Sequence, residues 1–350
     1  MTMLAEQLDA VIGVDTHRDT HTLELAASTG APIAALTVTN DSSGYVAALR
    51  WAAEHAPGPR LLFAVEGTRS YGAGLARAIA AAGLVVIEVE RPRVAGRRRG
   101  KSDALDAHAA VLAALRTPAD RVASPRVDGP REALRILLGA REEMTSAKTA
   151  QINRLRALLL TGEDTDRPLA RGRLTVERLQ MIARRRGRPD DAVDCAVRRA
   201  EARRLAISIR YLAQQLADNK VQLTRTAEQV APGLISRVGI GPVSAAQAVV
   251  SWSHHGRCRN DAAFAALAGT CPIPASSGRT VRHRLNRGGD RALNRATHDI
   301  AKTRMQHCPR TRDYIARRTA EGKTPREIRR CLKRYITREL YRALQATPAS

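Results

Sequence analysis

Two apolar runs each end on a carboxylate. Val11-Ile12-Gly13-Val14 is closed by Asp15, and Leu61-Leu62-Phe63-Ala64-Val65 is closed by Glu66. Uninterrupted apolar runs of this length, bounded by polar residues, read as strands buried on both faces and place a sheet inside the N-terminal region. Thr22–Ala26 alternates as a second strand, and a turn at Ser28-Thr29-Gly30 leads into a third over Ile33–Val38, an antiparallel hairpin beside the first. Asn40-Asp41-Ser42-Ser43 can cap a helix running to about Ala53. A helix over Gly74–Ala82 then separates the strand Leu61–Val65 from another over Leu84–Val89.

Three meandering strands followed by alternating helix and strand form a ribonuclease-H-like α/β order, in which the ends of strands one and four and a late helix converge. Asp103 and Asp106, three residues apart, share one face of that helix. Four carboxylates gathered at the mouth of a sheet repel one another unless divalent cations sit among them. Two such ions roughly 3.5–4 Å apart are a standard means of cutting or joining phosphodiesters. Just before this helix, Arg91–Lys101 is a basic loop whose Arg97, Arg98, Arg99 and Lys101 are candidates to draw phosphate toward the acids, with Ser102 as the helix cap. His17, His21 and His108 lie near the acids in sequence and read as surface or supporting residues before ligands. The pair His254-His255 reads as loop.

The 58 Lys and Arg exceed the 34 Asp and Glu, for a net charge of +24. Residues 1–120 hold 12 basic and 13 acidic side chains, a net of −1, so the remaining 230 residues carry +25. The acids thus belong to a neutral region, and the countercharge for a polyanion belongs to the rest, which points to nucleic acid. Five scattered cysteines without Cys-x-x-Cys spacing argue against a disulfide framework and a zinc ribbon. No apolar stretch approaches a membrane span of about 20 residues, and the start shows no secretory pattern. A cytoplasmic, nucleoid-associated protein with no membrane partner is expected.

Beyond residue 122 the character changes. Residues 128–229 read as helical, with stripes at Leu134, Leu137, Leu138, Met144, Ile152, Leu155, Leu158 and Leu159 and at Val193, Ala196, Leu205, Ile209, Leu212, Leu216 and Leu223. Around the polar, basic stretch Thr161–Pro189 they form an antiparallel hairpin, read as a coiled-coil arm for assembly, with ordinary bundle packing as the alternative. Residues 230–345 open with Arg237-Val238-Gly239-Ile240-Gly241-Pro242, which resembles a helix-hairpin-helix turn. There Gly239 and Gly241 would let backbone N–H groups approach a phosphate, unless the turn only serves packing.

One further segment, Gly269-Thr270-Cys271-Pro272-Ile273-Pro274-Ala275-Ser276-Ser277-Gly278-Arg279, precedes Asn286-Arg287-Gly288-Gly289-Asp290-Arg291. Taken with Gly13-Val14-Asp15-Thr16-His17-Arg18, Val65-Glu66-Gly67-Thr68, Tyr71-Gly72 and Lys101-Ser102-Asp103-Ala104-Leu105-Asp106-Ala107, it makes the chain resemble the DEDD transposases of insertion sequence 110 type, relatives of the Piv and MooV invertases. Arg18 stands where the family commonly has Lys, a change that preserves charge.

The resemblance implies a RuvC-like catalytic domain over 8–122, a coiled-coil region over 128–229 and a mainly α-helical C-terminal transposase domain over 230–345. It assigns Asp15, Glu66, Asp103 and Asp106 to the metal, two Mg2+ ions with Mn2+ as a substitute. Ser277, or its neighbour Ser276, becomes the nucleophile. Arg279, Arg282, Arg284, Arg287 and Arg291 are candidates for the scissile phosphate and its flanks, since guanidinium binds phosphate in a fork. Implied partners are double-stranded DNA of the element ends and target, a noncoding bridge RNA, and further copies of the chain, a tetramer. Two rival readings are a RuvC-like Holliday-junction resolvase that uses water, and a non-catalytic nucleic-acid-binding remnant.

Overall fold

A computed structural model describes residues 2–89, 103–126, 128–275 and 283–347. In it the two apolar runs become adjacent central strands. β1 (Ala10–Thr16) and β4 (Leu61–Glu66) are buried at every position, as continuous apolar runs in a two-sided sheet should be. β2 (Thr20–Ala27) alternates between buried and half-buried residues, β3 (Pro32–Thr39) is a largely exposed edge, and β5 (Val85–Val89) closes the other side. The sheet order is β3-β2-β1-β4-β5. The β1–β2 and β2–β3 pairs are antiparallel, while β1–β4 and β4–β5 are parallel.

Helices cover both faces. α1 (Ser42–His55) starts at Asp41, whose carboxylate accepts from Gly44 N at 2.8 Å, and α2 (Ala73–Ala81) spans the β4–β5 crossover. They cover a core of Ile12, Val14, Leu23, Leu25, Phe63 and Val65, with Trp51, Leu75 and Ile79 as the helix contribution. On the opposite face α3 (Asp103–Leu115) packs Ala110, Val111 and Ala114 onto Val11, Leu62, Ala64 and Ile87.

The chain divides into two compact units, one holding residues up to Glu132 with Trp252–Ala263, the other holding Ala133–Ser251 and Phe264–Thr347. The long helix α4 (Gly129–Leu160) leads into the second. There α5 (Arg167–Arg171), α6 (Val176–Ala183) and the 38-residue α7 (Val193–Val230) follow. α4 and α7 run antiparallel, Leu155 and Leu159 packing with Leu205, Ala206 and Ile209 while Asn219 Nδ2 donates to the Leu137 carbonyl at 2.9 Å. The polar stretch between them is not structureless: Thr175 caps α6, which buries Leu179, Ile182 and Ala183 in the same core.

After α8 (Pro242–Trp252) and α9 (Asp261–Leu267), a short ribbon pairs β6 (Ile273–Pro274) with β7 (His283–Arg284). α10 (Arg291–His307), α11 (Pro309–Ala320) and α12 (Pro325–Gln345) complete the unit. The N-terminal region is thus mixed α/β and the C-terminal region mostly helical. Among the described residues no helix is long and apolar enough to cross a membrane.

Candidate metal centre

Val14 of β1 faces Val65 of β4 in a parallel register. The next residue on each strand, Asp15 and Glu66, therefore stands at the same end of the sheet, on neighbours roughly 4.7–4.9 Å apart. Both are buried, with 2% and 8% of their surface exposed. Thr16 Oγ1 donates to the Glu66 carbonyl oxygen at 3.0 Å and ties the two strand ends together.

α3 brings the other two acids. It lies directly on β1 because Gly13 has no side chain; a Cβ there would collide with the Ala107 carbonyl oxygen and with Val111. Asp103 and Asp106 occupy the first turn of this helix, where negative charge also suits the helix dipole. Their proximity to Asp15 is electrostatic as well as geometric. Burial pushes the Asp15 carboxyl above its ordinary range, the charge of His17 opposes this, and Asp106 and Asp103 push it higher.

His17 joins the strand end to the helix. Its Nε2 is 3.0 Å from Asp15 Oδ2 and 3.3 Å from Asp103 Oδ1. One ligand-type atom each from Asp15, His17 and Asp103 all lie within 4.8 Å of one another. The sequence placed His17 among supporting residues; the structure brings it to the acids themselves. The other two histidines go elsewhere. His108 Nδ1 sits 2.5 Å from Glu24 Oε1, and His21 is fully buried and stacked on Tyr45.

Another acid at this end of the sheet serves as a contrast. Burial pushes Glu88 of β5 upward, but hydrogen bonds and charge from Arg126, with Arg69 adding, outweigh it and hold the carboxyl below its ordinary range. Glu88 is thus neutralised by guanidinium, whereas Asp15 is crowded by further carboxylates. A carboxyl raised by burial, with neighbouring carboxylates adding to it, is what a cation would relieve. Hard oxygen donors with a single imidazole fit magnesium or manganese better than a thiophilic metal.

The other sequence candidates belong to the second unit or lie outside what is described. Arg97, Arg98, Arg99, Lys101, Ser276, Ser277, Arg279 and Arg282 fall outside the described residues. Arg284 is on β7, Arg287 is exposed in the following turn, and Arg291 begins α10. Gly239 packs against α10, where a Cβ would press on Arg304 and the Ile300 carbonyl, and Arg304 Nε donates to Val238 O at 2.7 Å. Gly241 faces open space before α8.

Residues 12–162 match the model of the IS110-type DEDD transposases, and residues 233–316 match that of the IS116/IS110/IS902 transposase family. The chain belongs to the IS110 family of transposases. No curated protein matches it. In this transposase the first match spans all four acids and His17. The second spans Gly239, Gly241, both serines and the five arginines from Arg279 to Arg291. Transposase membership makes DNA the substrate and strand cleavage and rejoining the general activity.

Proposed function

We propose that this transposase cuts and rejoins DNA at a metal site formed by Asp15, Glu66, Asp103 and Asp106, with Ser277 as nucleophile. The observation that carries this reading is that Asp15 and Glu66 end adjacent strands at one end of a β3-β2-β1-β4-β5 sheet, with the charges of Asp103 and Asp106 of α3 acting on Asp15. That order, with one antiparallel meander and two parallel additions, supports a ribonuclease-H-like unit of RuvC type. A pair of divalent cations, magnesium or manganese, would supply Lewis acidity at the scissile phosphate and stabilise charge on the departing oxygen.

The chain's own residues do the rest. Asp15 and Glu66 present oxygens from rigid strand ends, Asp103 and Asp106 close the site from α3, and His17 holds the Asp15 and Asp103 carboxylates in register. A serine hydroxyl needs activation to attack. In the step proposed, Ser277 loses its proton, its Oγ bonds to phosphorus, the P–O3′ bond breaks, and the departing 3′ oxygen takes up a proton. The phosphoserine link keeps the bond energy for rejoining. Arg279, Arg282, Arg284, Arg287 and Arg291 hold the phosphate and its flanks. Arg97, Arg98, Arg99 and Lys101 draw strands toward the acids, and the turn at Gly239 and Gly241 approaches backbone phosphate.

In this reading the division at 8–122, 128–229 and 230–345 separates catalysis, assembly and nucleophile. The α4–α7 pair serves as the coiled-coil arm of a tetramer, and a bridge RNA pairs element ends with target DNA. Trapping the cleaved strand on the protein tests the nucleophile. Wild type should yield a covalent protein–DNA adduct and Ser277→Ala none; normal recombination by Ser277→Ala would exclude the serine step.

A further inference from the structure

The C-terminal unit holds a cavity of about 800 Å³ lined by the β6–β7 ribbon, the turn before it and α12. Its walls carry six cations, Arg284, Lys323, Arg330, Lys333, Arg334 and Arg338, and among the described residues one carboxylate, Glu327. Glu327 is committed to the start of α12, where Oε2 accepts from Thr324 N at 2.9 Å and from Thr324 Oγ1 at 2.8 Å. Cations thus outnumber carboxylates on the described walls, a balance that attracts anions.

Its shape favours a chain of anionic groups. Arg330, Arg334 and Arg338 recur every fourth residue, so they project from one side of α12 at steps of about 6 Å along its axis. The wall they belong to is braced. Arg330 Nη1 donates to the His283 carbonyl at 3.5 Å, linking helix to ribbon. Lys333 Nζ donates to Asn294 Oδ1 at 2.6 Å, and Asn294 Nδ2 to the Ala268 carbonyl at 2.7 Å.

The same cavity is lined by Tyr335, which is 53% exposed in a chain with only 3% aromatic residues. Tyr314 meets its ring edge-on, with centroids 5.8 Å apart, and fixes its orientation. A cationic stripe beside an open aromatic face is the chemistry of unpaired nucleic acid: cations follow the backbone and the ring stacks on a base. A duplex offers phosphates but keeps its base faces covered.

We propose that this cavity holds an unpaired stretch of nucleic-acid strand, its phosphates along Arg330, Arg334 and Arg338 and one base stacked on Tyr335. It rests on the recombinase reading only for the source of unpaired strands, which cleavage and strand exchange would supply.

The test is fluorescence anisotropy of the full-length protein in EDTA, so that it does not depend on the metal site. The probes are a labelled oligodeoxynucleotide of about 12 nucleotides, the matching oligoribonucleotide and a blunt duplex. Tyr335→Ala should weaken single-strand binding by roughly 5–150-fold, the range expected for loss of one stacked base. Tyr335→Phe should bind as wild type, and duplex affinity should not move. Arg334→Gln with Arg338→Gln, at a half-buried and an exposed position of α12, should lower the single-strand salt slope by about 1.4, and it carries the test should Tyr335→Ala fail to fold. Loss on DNA alone, on RNA alone or on both supports the site and names its source. Unchanged single-strand affinity and salt slope in both variants, or an equal loss on the duplex, overturns it.

Discussion

His17 Nε2 lies 3.0 Å from Asp15 Oδ2 and 3.3 Å from Asp103 Oδ1, so one imidazole links the end of the central strand to the start of α3. The two acids reach the site by different routes, one through sheet register and the other through helix packing. A shared contact fixes their relative position more firmly than either route alone. His17 can do this as a ligand or as a partner that orients carboxylates, and both roles require the same geometry.

His17→Ala should therefore weaken metal binding by about 10–100-fold, the usual cost of removing a residue that orients metal ligands. Manganese titration by calorimetry measures this directly, and the Mg2+ concentration for half-maximal cleavage should rise by a similar factor. An unchanged metal dependence would separate His17 from the site.

Asp15→Asn should stabilise the metal-free protein while disabling it. The folded-state pKa of Asp15 is raised from its ordinary 3.8. For a raised carboxyl, the associated stability is fully present below the unfolded value and is lost as pH rises through the folded value. In EDTA at neutral pH the variant should melt a few degrees above wild type, and the two should converge as pH falls toward 3.8. Added Mg2+ should raise the wild-type melting temperature and leave Asp15→Asn nearly unmoved, because only a state that binds the ion gains from it. Equal melting temperatures at neutral pH in EDTA would contradict the crowding of Asp15.

Gly13→Ala should damage both stability and cleavage. The added methyl meets the Ala107 carbonyl and Val111, so α3 must shift and carry Asp103 and Asp106 with it. Overpacking of this kind costs about 1–3 kcal/mol. Thermal melts and Mg2+-dependent cleavage should fall together. A variant as stable and active as wild type would show that α3 can lie elsewhere without consequence.

Much of this was legible in the sequence, for identifiable reasons. Asp15 and Glu66 could be placed because each closes an apolar run, and burial on both faces leaves a strand little else to be. Asp103 and Asp106 followed from helical spacing. What the sequence left hidden depended on contacts between distant elements. His17 shares Asp15's side of the chain by the period of two in extended backbone, a signal that was available, but its distance to Asp103 depends on how closely α3 approaches β1. α6 was obscured by the surrounding arginines, although Leu179, Ile182 and Ala183 hold helical spacing and are buried. The packing of Arg304 and Ile300 against Gly239 was hidden for the same reason, since it joins a turn to a helix far along the chain.

The acid cluster as a metal-dependent cutting site is tested most directly by cleavage of element-end DNA by wild type and by Asp103→Ala, each in Mg2+ and in EDTA. Asp103 is more than half exposed, so its removal should leave the fold intact, which a melting curve verifies. Wild type should cleave in Mg2+ and stop in EDTA, and folded Asp103→Ala should show no cleavage in either. Cleavage by folded Asp103→Ala at the wild-type rate, or by wild type in EDTA, would contradict the assignment of these four acids to the metal.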